Sequence, residues 1–175
     1  VTFQSDQAGS YKIMNGDTEV AGSTAITAGA ANAVTFDLSA LAEATYSGLV
    51  ITVTDAAGNA GTATINDFVV DKTAPTVTID THPNNPTNSP SVTFQSDQAG
   101  SYKIQKSDDT EVIGSTNIDA GAANAVTADL SDLAAGTYSG MVITVTDAAG
   151  NSATATINDF VVDKTAPTVT IDTHP

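Results

Sequence analysis

The chain consists of two near-identical copies of one domain-sized sequence. The segment VTFQSDQAGSYKI begins at Val1 and again at Val92, and DKTAPTVTIDTHP begins at Asp71 and again at Asp163. The offset is 91 residues for the first segment and 92 for the second, because MNGD in the first copy becomes QKSDD in the second. Such a period indicates a whole domain, not a solenoid repeat of about 20 to 50 residues. It favours reach, stiffness or multivalency over catalysis, since an active site needs only one copy.

The copies are out of phase with the ends of the sequence. The linker DKTAP and the strand-like TVTID precede VTFQS in the second copy, but they do not precede it in the first. We therefore expect a first module at residues 1–72 that lacks its first strand. A complete second module is expected at residues 73–164, and the first strand of a following module at residues 165–175.

Composition limits the fold class and the partners. The net charge is −15, from 20 acidic and 5 basic residues, so neither nucleic acid nor an anionic membrane surface is expected as a partner. An acidic surface favours cations. The sequence has no cysteine to form a disulfide and no run of apolar residues long enough to predict membrane insertion. Thr, Val and Ala dominate, with Gly, Asn and Asp at apparent turns, which is typical of an all-β protein.

Alternating apolar residues predict seven strands in the second copy. They are expected at Thr76–Asp80, Ser91–Ser96, Tyr102–Gln105, Glu111–Gly114, Asn124–Leu130, Tyr138–Thr146 and Ala153–Val162. Seven short strands separated by turn signals predict tandem immunoglobulin-like β-sandwiches, arranged as an elongated rod. The spacing of Leu133, Gly136 and Tyr138 before a long strand also suggests a tyrosine corner, in which the ring hydroxyl bonds back to the backbone. The alternative is a core tyrosine at a strand start.

Two motifs carry a family resemblance over essentially the whole chain. DAAGN followed by VVDKTAPTV resembles the bacterial immunoglobulin-like repeats of giant surface adhesins and biofilm-associated proteins. The resemblance implies non-enzymatic modules of an extracellular rod at the bacterial cell surface, with calcium at the joints between modules and ligand binding in other domains. Lys72 stands at the second position of the linker, where the family usually has Thr, and places a positive charge beside the expected metal site.

The expected sandwich topology brings acidic turns to one pole of each module. For the second module these are the linker with Asp71, the turn with Asp97, and the turn with Asp147 and Asn151. Three carboxylates within about 5 Å repel one another, and Ca²⁺, which takes about six to eight oxygen ligands, would remove that cost. The sequence therefore predicts a structural Ca²⁺ site at this joint. The alternative is that these residues stabilise their own turns. The corresponding residues for the first module are Asp6, Asp55, Asn59 and Asp163.

The segment 166–172 has the sequence of the strand that the first module lacks. Two explanations remain open. The chain is a window of a longer repeat protein, in which a preceding module supplies this strand covalently. Alternatively, segment 166–172 adds to the first module of a neighbouring molecule, so that copies assemble head to tail by strand donation.

Three functions are consistent with the sequence, and no catalytic constellation is recognisable in it. The first is a structural stalk or filament segment of a bacterial surface adhesin. The second is a module that binds a carbohydrate or a host ligand, which would need an exposed aromatic cluster. The third is an accessory domain of a secreted enzyme.

Overall fold

Short runs of alternating Val, Ile, Thr and Ala form nearly all the regular structure of this chain, as β-branched residues favour strands. A computed structural model describes residues 1–173, apart from the side chain of Ser23. The chain divides between Lys72 and Thr73 into unit 1 and unit 2. Among the described residues, no helix has the length and apolarity needed to cross a bilayer.

Unit 1 contains eight strands and one short 3-10 turn at Ala30–Asn32. The strands are β1 (Thr2–Phe3), β2 (Gly9–Asn15), β3 (Thr18–Ile26), β4 (Val34–Thr35), β5 (Ala44–Tyr46), β6 (Leu49–Asp55), β7 (Ala60–Thr64) and β8 (Phe68–Val70). Four of them form an antiparallel sheet in the order β3-β2-β6-β7. Strand β1 pairs with β4, and β5 pairs with β8.

Within residues 73–173, unit 2 contains nine strands and the equivalent 3-10 turn at Ala122–Asn124. The strands are β9 (Val77–Thr81), β10 (Ser91–Ser96), β11 (Gly100–Gln105), β12 (Glu111–Ile118), β13 (Val126–Asp129), β14 (Gly136–Tyr138), β15 (Val142–Asp147), β16 (Ser152–Thr156) and β17 (Phe160–Val162). One sheet has the order β13-β10-β9 and the other the order β12-β11-β15-β16. Strands β14 and β17 form a separate antiparallel pair.

The core of unit 2 lies between its two sheets. Along β10 and β15 every second side chain is buried, as expected for strands with one face on a core. Phe94 of one sheet and Ile104 and Ile143 of the other belong to a single buried cluster, which Phe160 and Leu130 complete. Unit 1 has an equivalent but smaller cluster around Tyr11, Ile13 and Ile51. The predicted all-β, immunoglobulin-like fold class is therefore confirmed.

The predicted number of strands needs a correction. The strand predicted at Tyr138–Thr146 is divided into β14 and β15, and the one predicted at Ala153–Val162 is divided into β16 and β17. Gly140, with φ of 64°, bends the chain within the first of these. Its backbone N–H lies 3.4 Å from Oδ1 of Asp159, which sits in the break of the second. Both breaks allow β14 and β17 to leave the main sheet and pair with each other.

The predicted tyrosine corner is confirmed in both units. The hydroxyl of Tyr138 donates a hydrogen bond to the carbonyl oxygen of Ala134 at 3.0 Å, and the hydroxyl of Tyr46 donates to that of Ala42 at 3.0 Å. The ring of Tyr138 also stacks on Phe160, with 5.4 Å between centroids. Each tyrosine therefore fixes the turn that leads into the next strand, and its role is structural.

Candidate functional site

The first strand of unit 2, β9, is held by main-chain pairing and by three polar side chains. It runs antiparallel to β10, with Ile79 opposite Phe94. Oδ1 of Asp97 accepts a hydrogen bond from the backbone N–H of Thr76 at 2.6 Å, and the backbone N–H of Asp97 donates to the carbonyl of Thr76 at 3.2 Å. These contacts fix the point at which the linker becomes a strand.

Two glutamines hold the two ends of this strand. The amide of Gln98 donates to the carbonyl oxygen of Thr73 at 3.2 Å, ahead of β9. The amide of Gln95 donates to Oδ1 of Asp80 at 2.8 Å, near its end. Between them, Val77 and Ile79 pack against the core of unit 2. Side chains of unit 2 therefore hold the first strand at both ends and in the middle.

Unit 1 has an open groove at the equivalent position. Three adjoining clefts of about 230, 240 and 540 Å³ follow one another between residues 1–7 and strand β7. The first and second share Ser5 and Gly61 in their walls, and the second and third share Phe3 and Ala63. The clefts therefore form one groove, whose two walls correspond to β10 and β16 of unit 2.

Side chains along this groove are more exposed than their counterparts in unit 2. Phe3 and Val53 are half-buried, whereas Phe94 and Val145 are fully buried. The strand on this wall is also shorter: β1 has two residues and β10 has six, although the segment VTFQS is identical in both copies. A covering first strand accounts for both differences, since it supplies hydrogen bonds to one edge and apolar contact to the face.

A second copy of the covering sequence lies at the end of the chain. Residues 163–173 repeat residues 71–81 but carry no strand. Val169 is 85% exposed and Ile171 is 67% exposed, whereas their counterparts Val77 and Ile79 pack on a core. Such isolated apolar side chains on an extended segment are suited to pairing with a sheet edge.

The turn DAAGN is closed by its own aspartate. In unit 2, Oδ1 of Asp147 accepts hydrogen bonds from the backbone N–H groups of Ala149 (2.9 Å) and Asn151 (2.8 Å). Its Oδ2 accepts from the side-chain amide of Asn151 at 3.0 Å. Gly150, with φ of 94°, supplies the left-handed residue that the turn requires. Asp147, Gly150 and Asn151 therefore each contribute to closing the hairpin between β15 and β16.

The same turn recurs in unit 1. Asp55 accepts from the backbone N–H groups of Ala57 and Asn59 at 2.9 and 2.8 Å, and from the Asn59 amide at 2.9 Å. The Asn59 side chain is the main cause that holds the pKa of Asp55 below its ordinary value of 3.8, and the Asn151 side chain does the same for Asp147. Hydrogen bonds to the ionised form lower the pKa because they favour the carboxylate.

The other acids predicted as ligands are placed in three ways. Oδ1 of Asp163 accepts from the backbone N–H of Thr165 at 2.9 Å, and this bond lowers its pKa. The pKa of Asp97 is lowered chiefly by its bond from the Thr76 backbone. Asp6 lines the same cleft as Asp55 and Asn59, so three of the four residues predicted for the first module lie together, whereas the fourth, Asp163, belongs to unit 2. Asp71 belongs to unit 1, whereas the three residues predicted to join it belong to unit 2.

The carboxylates do not form a metal cage within residues 1–173. In that range, no three Asp, Glu, His or Cys side chains converge closely enough to hold a metal ion. Ca²⁺ needs about six to eight oxygens, and the oxygens of Asp55 and Asp147 already accept hydrogen bonds from their own turns. The calcium site stays a prediction, and closure of their own turns accounts for Asp55 and Asp147.

The sequence analysis did not identify the two glutamines that hold the first strand. Gln95 and Gln98 flank Asp97, and the equivalent Gln4 and Gln7 flank Asp6 in unit 1. The available signal was the identity of FQSDQ in both copies, with a glutamine on each side of the aspartate of the predicted turn. This stretch provides the side-chain amides that hold the two ends of the first strand.

The comparisons with known proteins agree with the fold. The fibronectin(III)-like modules of CbhA from Clostridium thermocellum match with a TM-score of 0.51 and 15% identity, over 90% of this chain and 79% of theirs. None of the curated proteins matches the sequence. The sequence profile of the bacterial Ig-like domain (group 3) matches residues 30–125 and 122–175. Domains of these two kinds are typically structural and non-catalytic. With most of its length matched, the chain belongs to the bacterial Ig-like domain family, group 3.

Proposed function

We propose that this chain is a stalk segment of an extracellular bacterial surface adhesin, in which Ig-like units supply length and mechanical continuity. The observation that carries this proposal is the placement of the aromatic side chains. The chain has five Phe, four Tyr and no Trp, all within the described residues, and each of the nine is buried or half-buried. A site for carbohydrate or another small ligand typically presents aromatic side chains to the ligand. The aromatic residues here serve the cores instead.

The duplication of structural detail also supports a stalk. Both units repeat the tyrosine corner with the same 3.0 Å bond and the same aspartate-closed turn. These features stabilise the sandwich and its hairpins, and a second copy adds length and no new chemistry. Bacterial Ig-like domains are also commonly found outside the cell or on its surface. A surface stalk is thus the function that these features support best.

Single-molecule pulling tests the mechanical part of the proposal. Unit 1 is expected to release about 20–25 nm of chain on unfolding and unit 2 about 25–30 nm, at about 0.34 nm per residue less the folded length. Two discrete steps, with unit 2 unfolding at the higher force, are expected because the core of unit 2 is more completely buried. Smooth extension without steps would show that the units do not resist load, and would refute the stalk.

Ligand screening separates the stalk from a binding module. The chain is expected to bind no glycan on an array at micromolar concentration. Specific binding of one glycan at this concentration would instead support the binding module. Digestion of intact cells by an added protease tests location, since a surface stalk is cleaved and a protein inside the cell is not.

A further inference from the structure

We propose that residues 82–87, here called the strap, fasten the last strand of unit 2 and set the force at which this unit unfolds when the chain is stretched. The strap connects β9 to β10, and every residue that it contacts in this way belongs to unit 2. The inference rests on the stalk function proposed above, because only a chain under tension pulls on the first and last strands of a unit together.

The end of the strap pairs with β17 through the main chain. The backbone N–H of Thr87 donates to the carbonyl oxygen of Val161 at 3.0 Å, and the backbone N–H of Asp163 donates to the carbonyl oxygen of Thr87 at 2.9 Å. Thr87 and Val162 form a parallel bridge. Strand β17 pairs with β14 along its other edge. The last strand of unit 2 is therefore held on both edges.

Two side chains of the strap extend this pairing toward the break between β16 and β17. Oδ1 of Asn85 accepts a hydrogen bond from the backbone N–H of Val161 at 3.0 Å, and Nδ2 of Asn85 donates to the carbonyl oxygen of Asp159 at 3.5 Å. Nδ1 of His82 accepts from the backbone N–H of Asn158 at 3.1 Å. With the two main-chain bonds, five hydrogen bonds connect the strap to residues 158–163.

The strap and β17 run in the same direction along unit 2. Strand β9 starts beside the end of β10, because Val77 lies opposite Ser96. The chain then runs away from that end of the unit until Thr87 meets Val162 in the parallel bridge. Tension between the entry and the exit of unit 2 therefore pulls the strap and β17 along their length in opposite directions.

A pull along a parallel pair loads its hydrogen bonds together, whereas a pull across the end of a hairpin opens its bonds one after another. The five bonds of the strap thus share the force and have to break at nearly the same time before β17 can leave. Strand β17 has only three residues, so its pairing with β14 is short. Its buried side chains, Phe160 and Val162, also resist removal from the core. A test has to separate the strap from this core contribution.

Pulling the full 175-residue chain by its two ends at constant force provides this separation. Asn85→Ala removes two of the five hydrogen bonds, and it leaves the core residues Phe160 and Val162 unchanged. It is expected to raise the rate at which unit 2 unfolds under force about 5- to 50-fold, as estimated from the usual contribution of two hydrogen bonds. The step of unit 1 in the same trace is the internal reference, because its sequence is unaltered.

A second variant tests the other side chain of the strap. His82→Leu removes one hydrogen bond and retains a side chain of similar size. It is expected to raise the rate of unfolding under force about 2- to 10-fold. If Asn85→Ala does not fold, the outcome for His82→Leu decides the proposal.

Asn124→Ala is the matched control. Asn124 is exposed like Asn85, and its amide donates one hydrogen bond to the carbonyl oxygen of Ala120 at 2.7 Å, in the turn before β13 and outside the strap. Denaturant unfolding measures the stability that each variant loses. Under force, the control is expected to unfold within about twofold of the rate of the unsubstituted chain, because a bond that is intact when the unit yields does not affect the unfolding rate.

Two results would overturn the proposal. The first is an unaltered rate of unfolding under force when the strap is substituted. The second is equal acceleration in Asn124→Ala and Asn85→Ala, since the force would then follow the overall stability of unit 2. Both results retain discrete steps and so leave the stalk function intact. Smooth extension of the unsubstituted chain is a different outcome, because it refutes the stalk function and the strap with it.

Discussion

Replacement of Phe94 and of Phe3 by alanine, one at a time, measures what the first strand contributes to a unit. Both rings contact a tyrosine edge-on, at 5.0 Å and 77° for Phe94 with Tyr102 and at 4.9 Å and 75° for Phe3 with Tyr11. The aromatic contact, typically about 0.5–1.5 kcal/mol, is therefore lost equally in both variants. The remaining difference is the neighbouring strand: Ile79 of β9 lies opposite Phe94, whereas none of the described strands lies at the equivalent position beside Phe3.

The expected magnitudes follow from burial. Phe94 is fully buried, so Phe94→Ala should cost unit 2 about 3–5 kcal/mol, the usual range for a core phenylalanine. Phe3 is half-buried, with one side toward the open groove. Its truncation removes only part of that apolar contact, and at about 25 cal/mol per Å² we expect Phe3→Ala to cost unit 1 about 2 kcal/mol.

Hydrogen exchange followed by mass spectrometry can report each unit separately. The two copies differ at Leu49 and Met141, so peptides that include these residues distinguish strands β6 and β15, which are otherwise nearly identical. Protection of these buried strands gives the opening free energy of each unit in each variant. Both variants are measured in the same buffer and at the same protein concentration.

The refuting result is an equal cost for the two substitutions under these conditions. It would mean that the first strand does not stabilise its unit by burying the phenylalanine beside it.

Three further predictions concern the turns and the corner. Because the pKa values of Asp55 and Asp147 are lowered from 3.8, their stabilising contribution is full above that value and is lost as the pH falls through the lowered pKa. The Tm should therefore be steady from pH 7 to about 5 and fall below about pH 4, with a smaller fall in Asp147→Asn. If the predicted Ca²⁺ site exists with a Kd of about 0.1–1 mM, 5 mM Ca²⁺ should stabilise the chain by about 1–2 kcal/mol over EGTA; an unchanged Tm would leave the acids with turn closure as their role. Tyr138→Phe should cost unit 2 about 1 kcal/mol in denaturant unfolding, since it removes one hydrogen bond, and an unchanged midpoint would contradict the role of the corner.

Local patterns were sufficient to predict most strands and the tyrosine corner. Alternating burial and turn residues are encoded within a few positions, and the spacing of Leu133, Gly136 and Tyr138 belongs to one short segment. The divisions at Gly140 and Asp159 were not predicted, because they depend on a contact between two strands that are far apart in sequence. Alternation is also interrupted at both breaks, because Ser139–Gly140 and Asn158–Asp159 each place two exposed residues between more buried ones. The prediction of unbroken strands overlooked this local signal.

The role of the acids could not be decided from residue types. Asp and Asn at a turn are suited both to coordinating calcium and to accepting backbone N–H groups. The difference lies in where each oxygen points, and for Asp147 both oxygens accept bonds within its own turn. Calcium remains a prediction for the set that includes Asp71.

The segment VTFQS shows the limit of local reasoning most directly. It forms part of a six-residue strand at Ser91–Ser96 but only a two-residue strand at Thr2–Phe3, with no change in its sequence. The propensity of the residues is the same in both places, so the neighbouring strand determines how far the extended pairing continues.

The identity of the two strand sequences also has a consequence for folding. In a refolding chain, residues 76–80 and 168–172 can each pair with residues 1–5 or 92–96, and the identical sequences give these pairings similar contact energies. The entropy of loop closure distinguishes the pairings. Residues 76–80 reach Ser91–Ser96 across a loop of about 10 residues and reach residues 1–5 across about 70, and closing the longer loop costs about 1.7 kcal/mol more in chain entropy. Nearness along the chain therefore favours the correct pairing about 20-fold. A longer loop between β9 and β10 would weaken that preference and increase exchange of strands between units.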